Sequence, residues 1–265
     1  MPAEDHRIKY ALSLVDAFEP GGKEKGFARI ERHHVADGLR ERIKDPSKVN
    51  QSAASLCGPA AFFYCVLEEM PHLYTQYVID LYRTGEARIG DLHVKPGSGC
   101  RAYKPPLDKI HPVDWIALAS LRDSENSLLD YSSANDTAAG ITMPRALAEW
   151  FRKMKWSGVR NDTNVYFLKG RSEVNDCVRM FDVAHICLFI NMQMLEPTKF
   201  AHRSVTPNHW VVLTKKMDVQ SNTIKFGVYT WGEQRDIPRT GTYPLDAFYR
   251  NFYGYVSAIP NYGFG

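Results

Sequence analysis

The chain has 265 residues, 44% of them hydrophobic, enough for one large domain or two small ones around a sizeable core, and nothing in this balance suggests disorder. Lysine and arginine total 33 against 30 acidic residues, a net charge of +3 with no dense basic block, so nucleic-acid binding through phosphate neutralisation has little support. The 14 tyrosines, 13 phenylalanines and 5 tryptophans, with no basic stripe between them, read as core and cleft walls rather than base-stacking platforms.

Residues 1–44 are charged and broken by Glu19-Pro20-Gly21-Gly22-Lys23, which reads as an N-terminal arm or lead-in to a main domain over residues 45–265. Tyr10 to Val15 is too short for a signal-peptide core and is soon followed by Asp16 and Glu19. No apolar run approaches the roughly 18 residues of a spanning helix, so the expectation is a soluble protein whose export, if any, uses a route without a cleavable signal.

From Ser52 the pattern turns helical. Ser52 or Ser55 can cap, Pro59 suits a first turn, and Ala60, Phe63, Tyr64 and Leu67 recur at helical spacing, which sets Cys57 at the N-terminal end of a buried helix. A second helix is predicted from His72 to Tyr82, closed by Gly85. Gly85 to Pro106, rich in Gly, Pro and charge, reads as a loop, and Pro96-Gly97-Ser98-Gly99 within it as a plain turn, since no Lys-Ser/Thr follows to cradle phosphate. Further helices are predicted from Pro112 to Arg122, from Pro144 through Met154, and from Ser172 to Asp182. Then the character changes to short β-rich stretches at Ile186–Ile190, His209–Thr214, Ile224–Trp231 and Tyr253–Ile259, with a short helix at Leu245–Phe252. Helices first and antiparallel strands last give an α+β fold.

Five cysteines, an odd number at irregular spacing with no Cys-x-x-Cys pair, are neither a disulfide framework nor a zinc site and point to a reducing compartment. No metal or cofactor is implied. Cys65, Cys177 and Cys187 read as small buried hydrophobes. Cys57 differs, because Gln51 precedes it by six residues in Gln51-Ser52-Ala53-Ala54-Ser55-Leu56-Cys57-Gly58-Pro59 and His209 heads an alternating strand far downstream. A thiol attacking an acyl group needs an imidazole to take its proton and donors aimed at the oxyanion that forms. A helix N-terminus and an imidazolium neighbour lower a thiol pKa from about 8.5 into the range of roughly 3.5–7.5.

In these residues the chain resembles the papain-like cysteine peptidase superfamily, in its compact bacterial branch, where Cys-Gly-Pro opens the central helix. The resemblance covers about residues 45–260. It implies a helical lobe, with the nucleophile helix at its start, packed on a C-terminal antiparallel sheet. It assigns Cys57 as nucleophile, Gln51 as oxyanion donor, His209 of His209-Trp210-Val211-Val212-Leu213 as base, and Trp231-Gly232 as the pair that shields the site. The family's usual orienting Asn falls on Tyr229, a poor substitute. Thr230 is the favoured partner for the imidazole, with a bare Cys-His dyad, or Asp218, Asn222 or Glu233, as alternatives.

The resemblance further implies protein substrates, a toxin or effector role with a cognate immunity protein, residence in the producer's cytoplasm and delivery into a target cell by a dedicated secretion system. Glutamine deamidases and transglutaminases use the same Cys-His chemistry on a side-chain amide. A peptidoglycan-cleaving relative would meet an oxidising periplasm, where five thiols are awkward. The non-enzymatic alternative is an inactive fold used as a binding module.

Overall fold

A computed structural model describes residues 2–23, 25–52, 55–125, 141–164, 166–195 and 207–263, with side chains from His6 onward. Helix and sheet are both well represented, an α+β protein. The chain divides into two compact units between Gly140 and Ile141. Among the described residues no helix is long and apolar enough to cross a membrane.

The first unit is helical. α1 (Pro2–Phe18) packs on α2 (Arg32–Lys44) and on α4 (Pro71–Thr84), while α3 (Cys57–Glu69) packs on α4. Residues 1–44 are therefore no arm. Ala11, Val15 and Phe18 on α1, and Val35, Ala36, Leu39 and Ile43 on α2, fall at helical spacing and are buried beneath charged outer faces. Arg32 ties the pair to α4 by donating to the Phe18 and Gly22 carbonyls and lying over the Phe18 and Tyr82 rings. The unit begins with these helices rather than at residue 45.

α4 ends where Gly85 takes a left-handed conformation, φ +80°, as the sequence implies. The stretch after it, expected as a loop, carries a small antiparallel hairpin of β1 (Ala87–Ile89) and β2 (Leu92–Val94) and a short helix α5 (Ser98–Ala102). Its alternating Ala87, Ile89, Leu92 and Val94 are buried around Gly90. The helix predicted from Pro112 exists in three pieces: α6 (Pro112–Asp114), a π-helical turn over Trp115–Ala119, and α7 (Ser120–Glu125).

The second unit holds the main sheet. Its elements are α8 (Pro144–Lys153), β3 (Ser157–Thr163), α9 (Arg171–Met180), β4 (His185–Ile190), β5 (His209–Gln220), β6 (Thr223–Thr230), β7 (Glu233–Ile237), β8 (Tyr243–Pro244), α10 (Leu245–Tyr249) and β9 (Phe252–Ile259). The strands run in the order β3-β9-β4-β5-β6-β7, with β8 beside β6, and every pairing is antiparallel. Apolar side chains alternating along β4, β5 and β6 form a core with Val174 and Cys177 of α9 and Phe248 of α10. β3 and β7 are polar edge strands that no apolar alternation announces. α10 stops at Tyr249, short of the expected Phe252, because Asn251 caps the Ala247 carbonyl and Phe252 opens β9.

Candidate active site

The segment before Cys57 is built by a buried ion pair. Arg42 donates from Nε and Nη2 to the two carboxylate oxygens of Asp114 at 2.8 and 2.7 Å, and from Nη1 to the Gly38 carbonyl. Asp114 is fully buried, and its Oδ2 also accepts the Asn50 amide at 3.2 Å. Asn50 in turn accepts the Ser52 amide at 2.7 Å, an Asx turn in which Ser52 takes φ +52°. Gln51 thus sits between two anchored residues and is itself buried. Ala53 and Ala54 of the motif lie outside the described residues.

Cys57 is the first residue of α3, after Leu56 as N-cap. Neither Ser52 nor Ser55 is the N-cap, in contrast to the expectation; Leu56 holds that position and makes no side-chain cap bond. The thiol position coincides with the positive end of a 13-residue helix. From Cys57 to Leu67 every residue of α3 is buried, and Phe63 packs on Tyr74 and Tyr77 of α4. This aromatic packing fixes the helix that carries the thiol.

In the second unit His209 opens β5 opposite Ile190 of β4. The next residue, Trp210, stacks on Phe189 and donates its indole N–H to the Thr142 carbonyl at 2.8 Å, which locks the strand end. The His209 side chain is buried, with Nε2 2.7 Å from Thr230 Oγ1 at the end of β6. Its ring stacks on Trp231, 4.5 Å between centroids at 23°. Of the alternative partners, Asp218 accepts from Gln220, the Asn222 carbonyl accepts the Leu245 amide, and Glu233 accepts from Arg239. Tyr229 is buried within β6, opposite Gln234 and Val212.

Burial, and secondarily the Arg235 guanidinium, push the His209 imidazole down to about 3. This environment favours a neutral ring, not the imidazolium of a preformed ion pair. Arg235 of β7 lies 5.3 Å over the Trp231 ring. Burial drives the Cys100 and Cys177 thiols upward, as suits inert core residues.

The structure describes Gln51 and Cys57 within the first unit, and brings His209, Thr230 and Trp231 together within the second. Arg42, Asp114 and Arg235 escaped the sequence reading. Helical periodicity marks an inward position at 42 without revealing a partner 72 residues away, and Arg235 lies on a polar edge strand. No protein family, curated protein or solved structure matches the chain significantly.

Proposed function

We propose that the protein is a cysteine peptidase of papain-like type that cleaves protein substrates through a thioester, with Cys57 as nucleophile, His209 as base, Thr230 as the partner of the imidazole and Gln51 as oxyanion donor. The observation that carries this reading is the oriented imidazole: His209, singled out by sequence, is buried, bonded to Thr230 and covered by Trp231. A histidine held on one nitrogen by a hydroxyl and on its face by an indole has a fixed direction. In the tautomer that donates Nε2–H to Thr230, the one this reaction uses, the lone pair is on Nδ1.

In this reaction Nδ1 takes the thiol proton as sulfur bonds to the carbonyl carbon, and the Cys57 amide and Gln51 side chain stabilise the oxyanion. The imidazolium returns the proton to the leaving amine as the C–N bond breaks. Water, losing a proton to Nδ1, then hydrolyses the thioester and restores the thiol. With burial holding His209 toward its neutral form, proton transfer accompanies attack, and the reaction does not require a standing imidazolium.

The toxin or effector role, the cognate immunity protein and delivery from the producer's cytoplasm into a target cell are part of the proposal and rest on the resemblance alone. Terminal-peptide proteomics on bacterial lysate treated with wild type or Cys57→Ala tests the activity: new termini dependent on Cys57 support it, and identical terminal profiles refute it. Intact-mass measurement separates the deamidase alternative, which leaves the target whole and about one dalton heavier. Expression that is equally harmless for wild type and Cys57→Ala removes the toxin role.

A further inference from the structure

We propose that Arg235 is a positioning residue for His209, acting through Trp231: its guanidinium packs over the indole on which the imidazole stacks, steadies that stack and opposes a second positive charge beside it. The role in reactivity rests on the reading of His209 as base, whereas the packing and the charge effect do not.

The turn between β6 and β7 holds Trp231 in place. Trp231 and Gly232 are its two central residues, with φ +47° and +79°, the left-handed pair of a type I′ hairpin. Asn-Gly is the usual occupant, and a bulky aromatic in the first of these positions is strained. Such a conformation persists where the surroundings hold it. Two side chains here hold the indole, His209 by stacking at 4.5 Å and Arg235 by a cation–π contact at 5.3 Å.

The charges around the ring act in the same sense. β4 sets uncharged Ile190 opposite His209, β6 contributes the Thr230 hydroxyl, and β7 contributes Arg235 and Glu233. On α9, which packs on β5, Glu173 is paired with Lys169 and Asp176 with Arg179. The Glu233 carboxylate lies 3.5 Å from Arg235 but is shared with Arg239 at 2.6 Å and is 45% exposed, whereas the Arg235 side chain is only 10% exposed. Solvent therefore screens the negative partner more than the guanidinium. Among the described residues, Arg235 is a charged group whose field acts to lower the proton affinity of His209, in the same direction as burial.

The test titrates the His209 ring by NMR in the full chain, its resonance assigned with His209→Asn. In Arg235→Met the midpoint is expected to rise by on the order of one unit, while Arg235→Lys, which keeps the charge, stays close to wild type. Arg235→Gln, also uncharged and of intermediate reach, gives the same reading if the Met variant does not fold. The acid limb of kcat/KM for the substrate found by proteomics should move with the midpoint, with KM unchanged. An unmoved midpoint in a folded, uncharged variant overturns the inference, as does an equal rise in Arg235→Lys. Loss of the peptidase reading appears separately, as hydrolysis that survives Cys57→Ala while His209 still responds to Arg235.

Discussion

The side chains of His209 and Thr230 meet at 2.7 Å across adjacent strands, and both are buried. A buried ring nitrogen without that hydroxyl lacks its partner in a medium where desolvation is costly. Thr230→Val, which keeps the shape and removes the oxygen, should therefore cost about 1–3 kcal/mol in denaturant unfolding. Thr230→Ser should recover most of it. If the hydroxyl also fixes the tautomer of a base, the Val variant lowers kcat/KM by roughly 10-fold or more. Equal stability of the Val and Ser variants would show the contact to be incidental.

The five thiols are predicted to separate under native alkylation. No disulfide joins any of them. Cys57 is 5% exposed, against 1% for Cys100 and none for Cys65, Cys177 and Cys187, so it is the most accessible. Its place at a helix N-terminus favours thiolate, while burial drives Cys100 and Cys177 the other way. Iodoacetamide at neutral pH should modify Cys57 first, read by peptide mass spectrometry, with the others following only on unfolding. Preferential labelling of another cysteine would remove the basis for treating Cys57 as the nucleophile.

Acid should weaken the fold before the carboxylates titrate. His209, His72 and His111 all have proton affinities lowered chiefly by burial. Between the lowered folded values and the unfolded value near 6.5, the unfolded chain binds more protons than the native one. Stability is therefore complete above about pH 6.5 and declines as pH falls. For His209 the decline continues toward about 3, at about 1.4 kcal/mol per pH unit. His111 adds a structural reason, since its Nδ1 accepts the Val113 amide at the start of α6 and loses that capacity on protonation. Urea midpoints should drop from pH 7 to pH 5, less so in His209→Asn. A flat profile over that window would contradict the neutral, buried imidazole.

Much of this architecture was legible because local chemistry and tertiary packing agreed. Pro59, the apolar run of α3 and Gly85 after α4 marked helix ends that the fold keeps. Branched and aromatic residues marked β4, β5, β6 and β9 to within a few residues, save that β5 runs on to Gln220. What was hidden depends on partners distant in sequence. β3, Ser-Gly-Val-Arg-Asn-Asp-Thr, is a strand because β9 supplies its ladder, with Gly254 at φ +107° allowing the close approach of the Asp162 carbonyl. In α1 and α2 the inward residues are outnumbered by charge, and composition masked their periodicity. The site divides the same way. Cys57, Gln51 and His209 carried signals in their neighbours, Thr230 was one of several open partners until the β5–β6 register set it beside His209, and Arg235 had no local signal.

Asp114 offers the sharpest test of how the fold serves the site. It is fully buried, held by two charge-assisted bonds from Arg42, and it holds the Asn50 amide one residue before Gln51. Removing one member of a buried pair leaves the other charge uncompensated, so Asp114→Ala should destabilise by about 3–5 kcal/mol. Combining Asp114→Leu with Arg42→Met should cost less than the sum of the single changes, since the double variant leaves no buried charge alone. The double variant still lacks the acceptor for Asn50, so its loop remains unanchored even where stability recovers. If Gln51 donates to an oxyanion, that variant recovers folding but not turnover, with kcat reduced and KM little changed. Full recovery of both would assign Asp114 to stability alone and leave Gln51 positioned by other means.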